Sequence, residues 1–161
     1  MKYILATLFL LTAVSCSTVV DEEDNEVGEY VTVGDRVPQF TVETVDADGT
    51  TATFSSGNLT GETVIVLFHT SCSDCQRELP RLNEYYLHHR SEPGFQMVAI
   101  SREEGAESIA AFWQAQGLSI PYCAQTDRRI YNLFASSVIP RVYFCSPEGI
   151  VTKIYIEKVD L

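Results

Sequence analysis

The run TVIVLFH at residues 63–69, followed at once by TSCSDCQRELP, constrains the chain more than any other feature. A continuous apolar, β-rich run without alternation is the signature of a strand buried on both faces. The residues behind it supply helical periodicity. Leu79, Leu82 and Tyr86 fall on one helical face, and Ser71, Ser73 or Asp74 can serve the N-terminal end, so the spacing predicts a helix over 73–90. Pro80 lies inside that helix and is expected to kink it, because it lacks an N–H and crowds the preceding turn.

The same pattern recurs downstream. FQMVAIS at 95–101 predicts a second buried strand, and 107–117 predicts a helix ended by Gly117. A shorter helix is expected at 128–135. Short β-like runs at 40–45 and 50–54 flank DADG and predict a hairpin, and 141–145 and 150–156 predict another around SPEG. Crossover helices between buried strands require parallel pairing at the centre, and the hairpins add antiparallel neighbours. The expected fold class is α/β: a mixed central sheet flanked by helices, with an N-terminal β-hairpin. At 161 residues the chain suits one domain, with no internal repeat after residue 30.

Between the buried strand and its helix stand Cys72 and Cys75. At a helix N-terminus the unpaired backbone N–H groups and the macrodipole stabilise a thiolate, so Cys72 is expected to be the more reactive sulfur. Cys75, one turn further in, is placed to attack a mixed disulfide and release the substrate. That arrangement suits thiol–disulfide exchange, in which the dithiol itself carries two electrons and no organic cofactor is needed.

These motifs resemble the TlpA/ResA group of thioredoxin-like proteins, within the AhpC/TSA superfamily. VGDRVPQFTVETVDADGTTATFSS is similar to that group's opening. TVIVLFHTSCSDCQRELPRL matches its strand, Cys-x-x-Cys and helix, including the proline at Pro80, and SVIPRVYFCSPEGIV matches its distal Ile-Pro, strand and turn. The resemblance implies a thioredoxin-like fold over residues 33–161. It also implies catalysis by Cys72 and Cys75, and a cis-proline at Pro140 that turns the Ile139 backbone toward the cysteines to shape the substrate groove. That fold normally finishes with a helix on one sheet face; five residues past Ile156 are too few for one, so a C-terminal helix is expected to be missing.

The chain also departs from the family. Ser71 replaces the aromatic residue usual before the first cysteine, His69 replaces a small residue, and Val66 stands where thioredoxin has a buried acid. No proton acceptor for Cys75 is evident, and His69 is more readily a packed neighbour than a base. The spacer Ser73-Asp74 bears on direction: a carboxylate there opposes thiolate formation at Cys72, which makes the couple less oxidising and favours a reducing or isomerase-type role.

The first residues, MKYILATLFLLTAVSCS, resemble a bacterial lipoprotein signal. On that resemblance residues 1–15 are removed and Cys16 carries the lipid, tying the protein to a bilayer in the cell envelope, facing the periplasm; outer-membrane or surface exposure stays open. Six acids between Asp21 and Glu29 suggest a solvated tether over 16–32. Expected partners are cysteine-containing envelope proteins, apocytochromes as in some relatives, and a membrane thiol–disulfide electron donor. A net charge of −11 with no basic stripe excludes nucleic acid. Cys123 and Cys145 have apolar neighbours and are expected to be small buried residues.

Two alternatives remain. A thiol peroxidase of the same superfamily needs a Pro-x-x-x-Thr-x-x-Cys arrangement, and the corresponding places hold Ile65 and His69. A non-catalytic metal- or protein-binding lipoprotein would need further ligands, and no second Cys-x-x-Cys is present.

Overall fold

Strand β3 (Thr63–Phe68) has all six residues buried, as its unbroken apolar run demands. In this computed structural model, which describes residues 28–161, it lies inside a seven-stranded sheet of order β2-β1-β5-β4-β3-β6-β7. The other strands are β1 (Thr41–Val45), β2 (Thr51–Ser55), β4 (Gln96–Ser101), β5 (Tyr122–Cys123), β6 (Arg141–Cys145) and β7 (Val151–Ile156). β3 pairs in parallel with β4 and antiparallel with β6, giving the mixed centre expected from the sequence. The signal segment at 1–15, Cys16 and most of the tether at 16–32 lie outside the described residues.

Helix α1 (Ser73–His89) runs without interruption through Pro80 and buries Leu79 and Leu82 completely. Each such leucine contributes roughly 1.5–3 kcal/mol by leaving water. Helix α2 (Ala106–Gln116) ends at Gly117, whose φ of +63 suits glycine, and buries Ile109 and Trp113. Phe68 packs on Trp113 at 5.0 Å between ring centroids, and Phe144 meets Tyr85 of α1 at 5.6 Å. On the opposite face Tyr143 packs on Phe134, and Phe134 on Phe40.

Three differences from the expected elements have physical causes. The helix expected at 128–135 is a single 3-10 turn, Tyr131–Leu133. Its following backbone is drawn elsewhere: the Phe134 carbonyl accepts the Tyr30 N–H at 2.9 Å, and Ala135 bridges to Glu29. Accordingly residues 28–32, expected in the tether, dock on the domain, and Val31 is buried. Strand β5 was not anticipated, because two residues carry no period, yet it joins the first hairpin to the central strands.

Past β7 there is no helix. Residues 157–161 lie along α1 instead, where Arg81 donates to the Val159 carbonyl at 2.7 Å and Arg77 to that of Glu157 at 3.0 Å. The buried Glu78 carboxylate accepts the Val159 N–H at 3.2 Å. Burial works against ionisation of Glu78, but Arg77, the Val159 N–H and Arg81 outweigh it and lower its pKa.

Candidate active site

The turn between β3 and α1 is closed by its own backbone. The Cys72 N–H donates to the His69 carbonyl at 3.1 Å, and Cys72 then caps α1 with φ −79° and ψ 122°. Its Sγ accepts the Cys75 N–H at 3.4 Å, so a sulfur stands where a serine or aspartate oxygen commonly caps a helix. Cys72 is half-buried, while Cys75 has no exposed surface; both are free thiols. Burial pushes the Cys75 thiol far above the ordinary cysteine range. The His69 backbone N–H works the other way, Cys72 adds to the rise, and the charge of Arg102 gives a small offset.

Opposite this turn, the Ile139–Pro140 peptide is cis. The Ile139 carbonyl accepts from Cys72 Sγ at 3.6 Å. Cys72, Cys75 and Ile139-Pro140 therefore meet at one end of the sheet. Ser73 is exposed. Asp74 is engaged differently from the expectation: its Oδ1 accepts from Arg77 Nη1 at 2.6 Å, which cancels part of the negative field at Cys72. Cys123 and Cys145 are buried, and burial raises both thiols, Cys145 to about 12.

Several residues at this end escaped the sequence reading. Glu104, buried in the loop after β4, accepts from the Thr70 N–H at 2.8 Å and from the Thr70 hydroxyl. Its Oε2 lies 3.6 Å from His69 Nδ1, and that nitrogen accepts the Ser71 N–H at 3.1 Å. A signal existed: β3 and β4 are parallel with Phe68 level with Ser101, so residues just past each end share one edge of the sheet. Acids at 103 and 104 were candidates on that ground. Arg141 also escaped notice. It is fully buried directly after Pro140, and no local pattern marks a buried arginine in a strand.

Arg102 completes this end, its guanidinium 5.0 Å from the Tyr131 ring centroid. Among the described residues no group of three or more His, Cys, Asp or Glu side chains could hold a metal ion. No helix among them is long and apolar enough to cross a membrane.

A capping thiol with a buried partner one turn in, facing the carbonyl that precedes a cis-proline at one end of a mixed sheet, defines a dithiol protein of the thioredoxin fold. The chain belongs to the AhpC/TSA family, whose model matches residues 33–154. It is 29% identical over 127 residues to the thiol-disulfide oxidoreductase ResA of Bacillus subtilis, covering 78% of this chain and 68% of that protein. A solution structure from Bacteroides thetaiotaomicron superposes with a TM-score of 0.74 at 23% identity, covering 83% of this chain and 84% of the other. A thiol:disulfide interchange protein of the thioredoxin family from Chlorobium tepidum gives 0.62 at 23% identity, covering 77% and 86%. These two likenesses concern the fold.

Proposed function

We propose that this thiol–disulfide oxidoreductase works in the bacterial cell envelope and exchanges its Cys72–Cys75 dithiol with disulfides of substrate proteins, in the reducing direction. The observation that carries the reading is the asymmetry of the two sulfurs. Cys72 is reachable and sits in the field of α1's free N–H groups, whereas Cys75 is buried one turn behind it. Cys72 attacks a substrate disulfide, forming a mixed disulfide and expelling one substrate thiolate. Cys75 then loses its proton and attacks Cys72 Sγ, releasing the second substrate thiolate; the substrate is reduced by two electrons and the pair becomes a disulfide.

Ile139 and Pro140 form the rim where an extended substrate segment pairs with backbone. Direction rests on Cys75 and Asp74. A thiol kept neutral by burial gives the reduced state no stabilisation through ionisation, and an acid in the spacer does not favour a thiolate, so the couple is a weak oxidant. Arg77 weakens the Asp74 contribution, which leaves Cys75 as the stronger support.

The address rests on the signal-like first residues and Cys16, which would anchor the protein to a bilayer facing the periplasm. Substrates are then cysteine-bearing envelope proteins, apocytochromes among them, and a membrane thiol–disulfide donor returns the pair to its reduced state. Mass analysis of the amino-terminal peptide from membranes tests the anchor: diacylglycerol on Cys16 supports it, and an unmodified Cys16 rejects it.

The test of function is the equilibrium reduction potential of the Cys72–Cys75 couple in dithiol buffers. A value below about −230 mV supports the reducing role, and one above about −150 mV reverses the direction. Absence of a reversible two-electron step at these cysteines would sink the redox reading in favour of a binding lipoprotein. Rapid mixing with hydrogen peroxide separates off the peroxidase alternative.

A further inference from the structure

Ile139 sits at the end of a loop that the cysteine turn does not hold. Its preceding residue, Val138, adopts a φ of +65°, a region that β-branched side chains rarely enter without external restraint. Two donors converge on the Val138 carbonyl: the Tyr131 hydroxyl at 2.9 Å and Arg141 Nε at 3.2 Å. Arg141 Nε also reaches the Ser137 carbonyl at 3.1 Å. The other arm of the same guanidinium, Nη1, donates to Glu29 Oε1 at 3.2 Å. Arg141 is fully buried, while the Glu29 side chain is 20% exposed.

Glu29 is delivered by backbone pairing. The Ser136 N–H donates to the Gly28 carbonyl at 2.8 Å, and the Tyr30 N–H to that of Phe134 at 2.9 Å. Gly28 has a φ of +57°, where L side chains are strained, and a Cβ there would crowd the Ser136 side chain, so glycine suits the approach. The segment that leads into the domain is thus laid along the loop that precedes Ile139.

We propose that Glu29 and Arg141 form a latch through which this leading segment fixes the Ile139 carbonyl opposite Cys72, making both of them positioning residues for protein substrates. The inference rests on the proposed exchange reaction, in which Ile139 pairs with the substrate backbone. Glu29 holds the buried guanidinium in place, the guanidinium holds the carbonyls of Ser137 and Val138, and these orient Ile139. Removing the charge of Glu29 weakens the hold on the buried guanidinium, and with it the hold of the guanidinium on those carbonyls. The dithiol stands on β3 and α1 and touches this chain of contacts only where Cys72 meets the Ile139 carbonyl. Loosening the latch therefore weakens capture of an extended polypeptide while sparing the chemistry of the cysteines.

The experiment compares wild type, Glu29→Gln and Arg141→Lys in the full chain. A peptide with one intramolecular disulfide and a small aromatic disulfide serve as the two substrates. Both variants are expected to raise KM for the peptide about three- to tenfold, with kcat and the rate with the small disulfide within about twofold of wild type. Lysine keeps the charge of Arg141 but cannot span Glu29 and two carbonyls, so it should resemble Glu29→Gln. An unchanged KM in Glu29→Gln overturns the latch; so does an equal loss with both substrates, which would mark general loosening. Should Arg141→Lys fail to fold, Glu29→Gln decides alone, because it keeps the size and shape of a side chain that is only partly buried.

Amide hydrogen exchange at Ser136 reads the latch without any substrate. Glu29→Gln should accelerate it about tenfold, and unaltered exchange rejects the proposal. If wild type does not turn over the peptide at all, the oxidoreductase reading falls, and the exchange result still decides whether the latch exists.

Discussion

The turn that carries Cys72 and the loop that carries Ile139 meet across 3.6 Å, yet they are held by different means. The cysteine turn is closed by its own backbone, the His69 carbonyl accepting the Cys72 N–H and Cys72 Sγ the Cys75 N–H, and Thr70 is tied to Glu104 just past the adjacent strand. The Ile139 loop is held by Tyr131 from the 3-10 turn and by Arg141 just past its end, and Arg141 in turn by Glu29, 112 positions away in the chain. If the proposed exchange reaction holds, such a site can preserve its chemistry on one side and adjust its substrate contacts on the other.

The sharpest way to break the comparison is to remove the chemistry from the cysteine turn alone. Cys72→Ser should lower turnover of a disulfide substrate by on the order of a thousandfold or more, because the other cysteines among the described residues are buried. Cys75→Ser should keep the first attack and accumulate a mixed disulfide on Cys72, visible as an added mass that a reductant removes. Turnover by Cys72→Ser at near wild-type rate would mean that the site lies elsewhere.

Alkaline titration separates the reduced and oxidised states. Burial raises Cys75 far above the ordinary range, and Cys145 and Tyr143 to about 12 each. A raised folded pKa means that the neutral form is favoured by folding, so stability is complete below the unfolded pKa and is lost as pH climbs toward the folded one. For the thiols that loss begins near pH 9. The reduced protein should lose stability steeply from there upward, by denaturant midpoints. In the Cys72–Cys75 disulfide neither thiol titrates, the buried Cys75 among them, and the decline should be shallower. Identical slopes for the two forms would mean that Cys75 is not buried as a neutral thiol.

The elements that locality builds were legible in the sequence. β3 and α1 announce themselves by an unbroken apolar run and by leucines at helical spacing, and Cys72 and Cys75 follow from where those two elements join. Ile139 and Pro140 were legible through family likeness. Glu104, Arg141 and Glu29 were not, because each acts through a partner supplied by tertiary packing. An arginine between proline and valine gives no local sign that it will be buried and asked to hold two carbonyls. Glu29 looked like one more acid of a solvated stretch. The helix expected at 128–135 stops at a 3-10 turn for the same reason: the backbone that follows, at 134–136, pairs with residues 28–30.

Two substitutions sharpen the contrast at moderate size. Thr70→Val removes the hydroxyl donor from the buried Glu104 carboxylate, leaving it under-satisfied, and should cost about 1–3 kcal/mol of stability. Tyr131→Phe removes one of two donors to the Val138 carbonyl and leaves Arg141 in place, so about 0.5–1.5 kcal/mol is expected. Denaturant unfolding measures both. A larger loss for Tyr131→Phe would mean that the ring's hydroxyl, more than Arg141, holds the Ile139 loop.

The smallest effect belongs to the spacer. Asp74 lies beside Cys72, but Arg77 Nη1 meets its carboxylate at 2.6 Å, and both side chains are substantially exposed. Exposed charges of this kind act weakly on their neighbours. Asp74→Asn should therefore make the potential only slightly less negative, by less than about 20 mV. Arg77→Gln should act in the opposite direction, because it leaves the carboxylate uncompensated near Cys72. A shift above about 60 mV for Asp74→Asn would show that the arginine does not mask the acid, and the spacer, with Cys75 second, would then set the direction of electron flow.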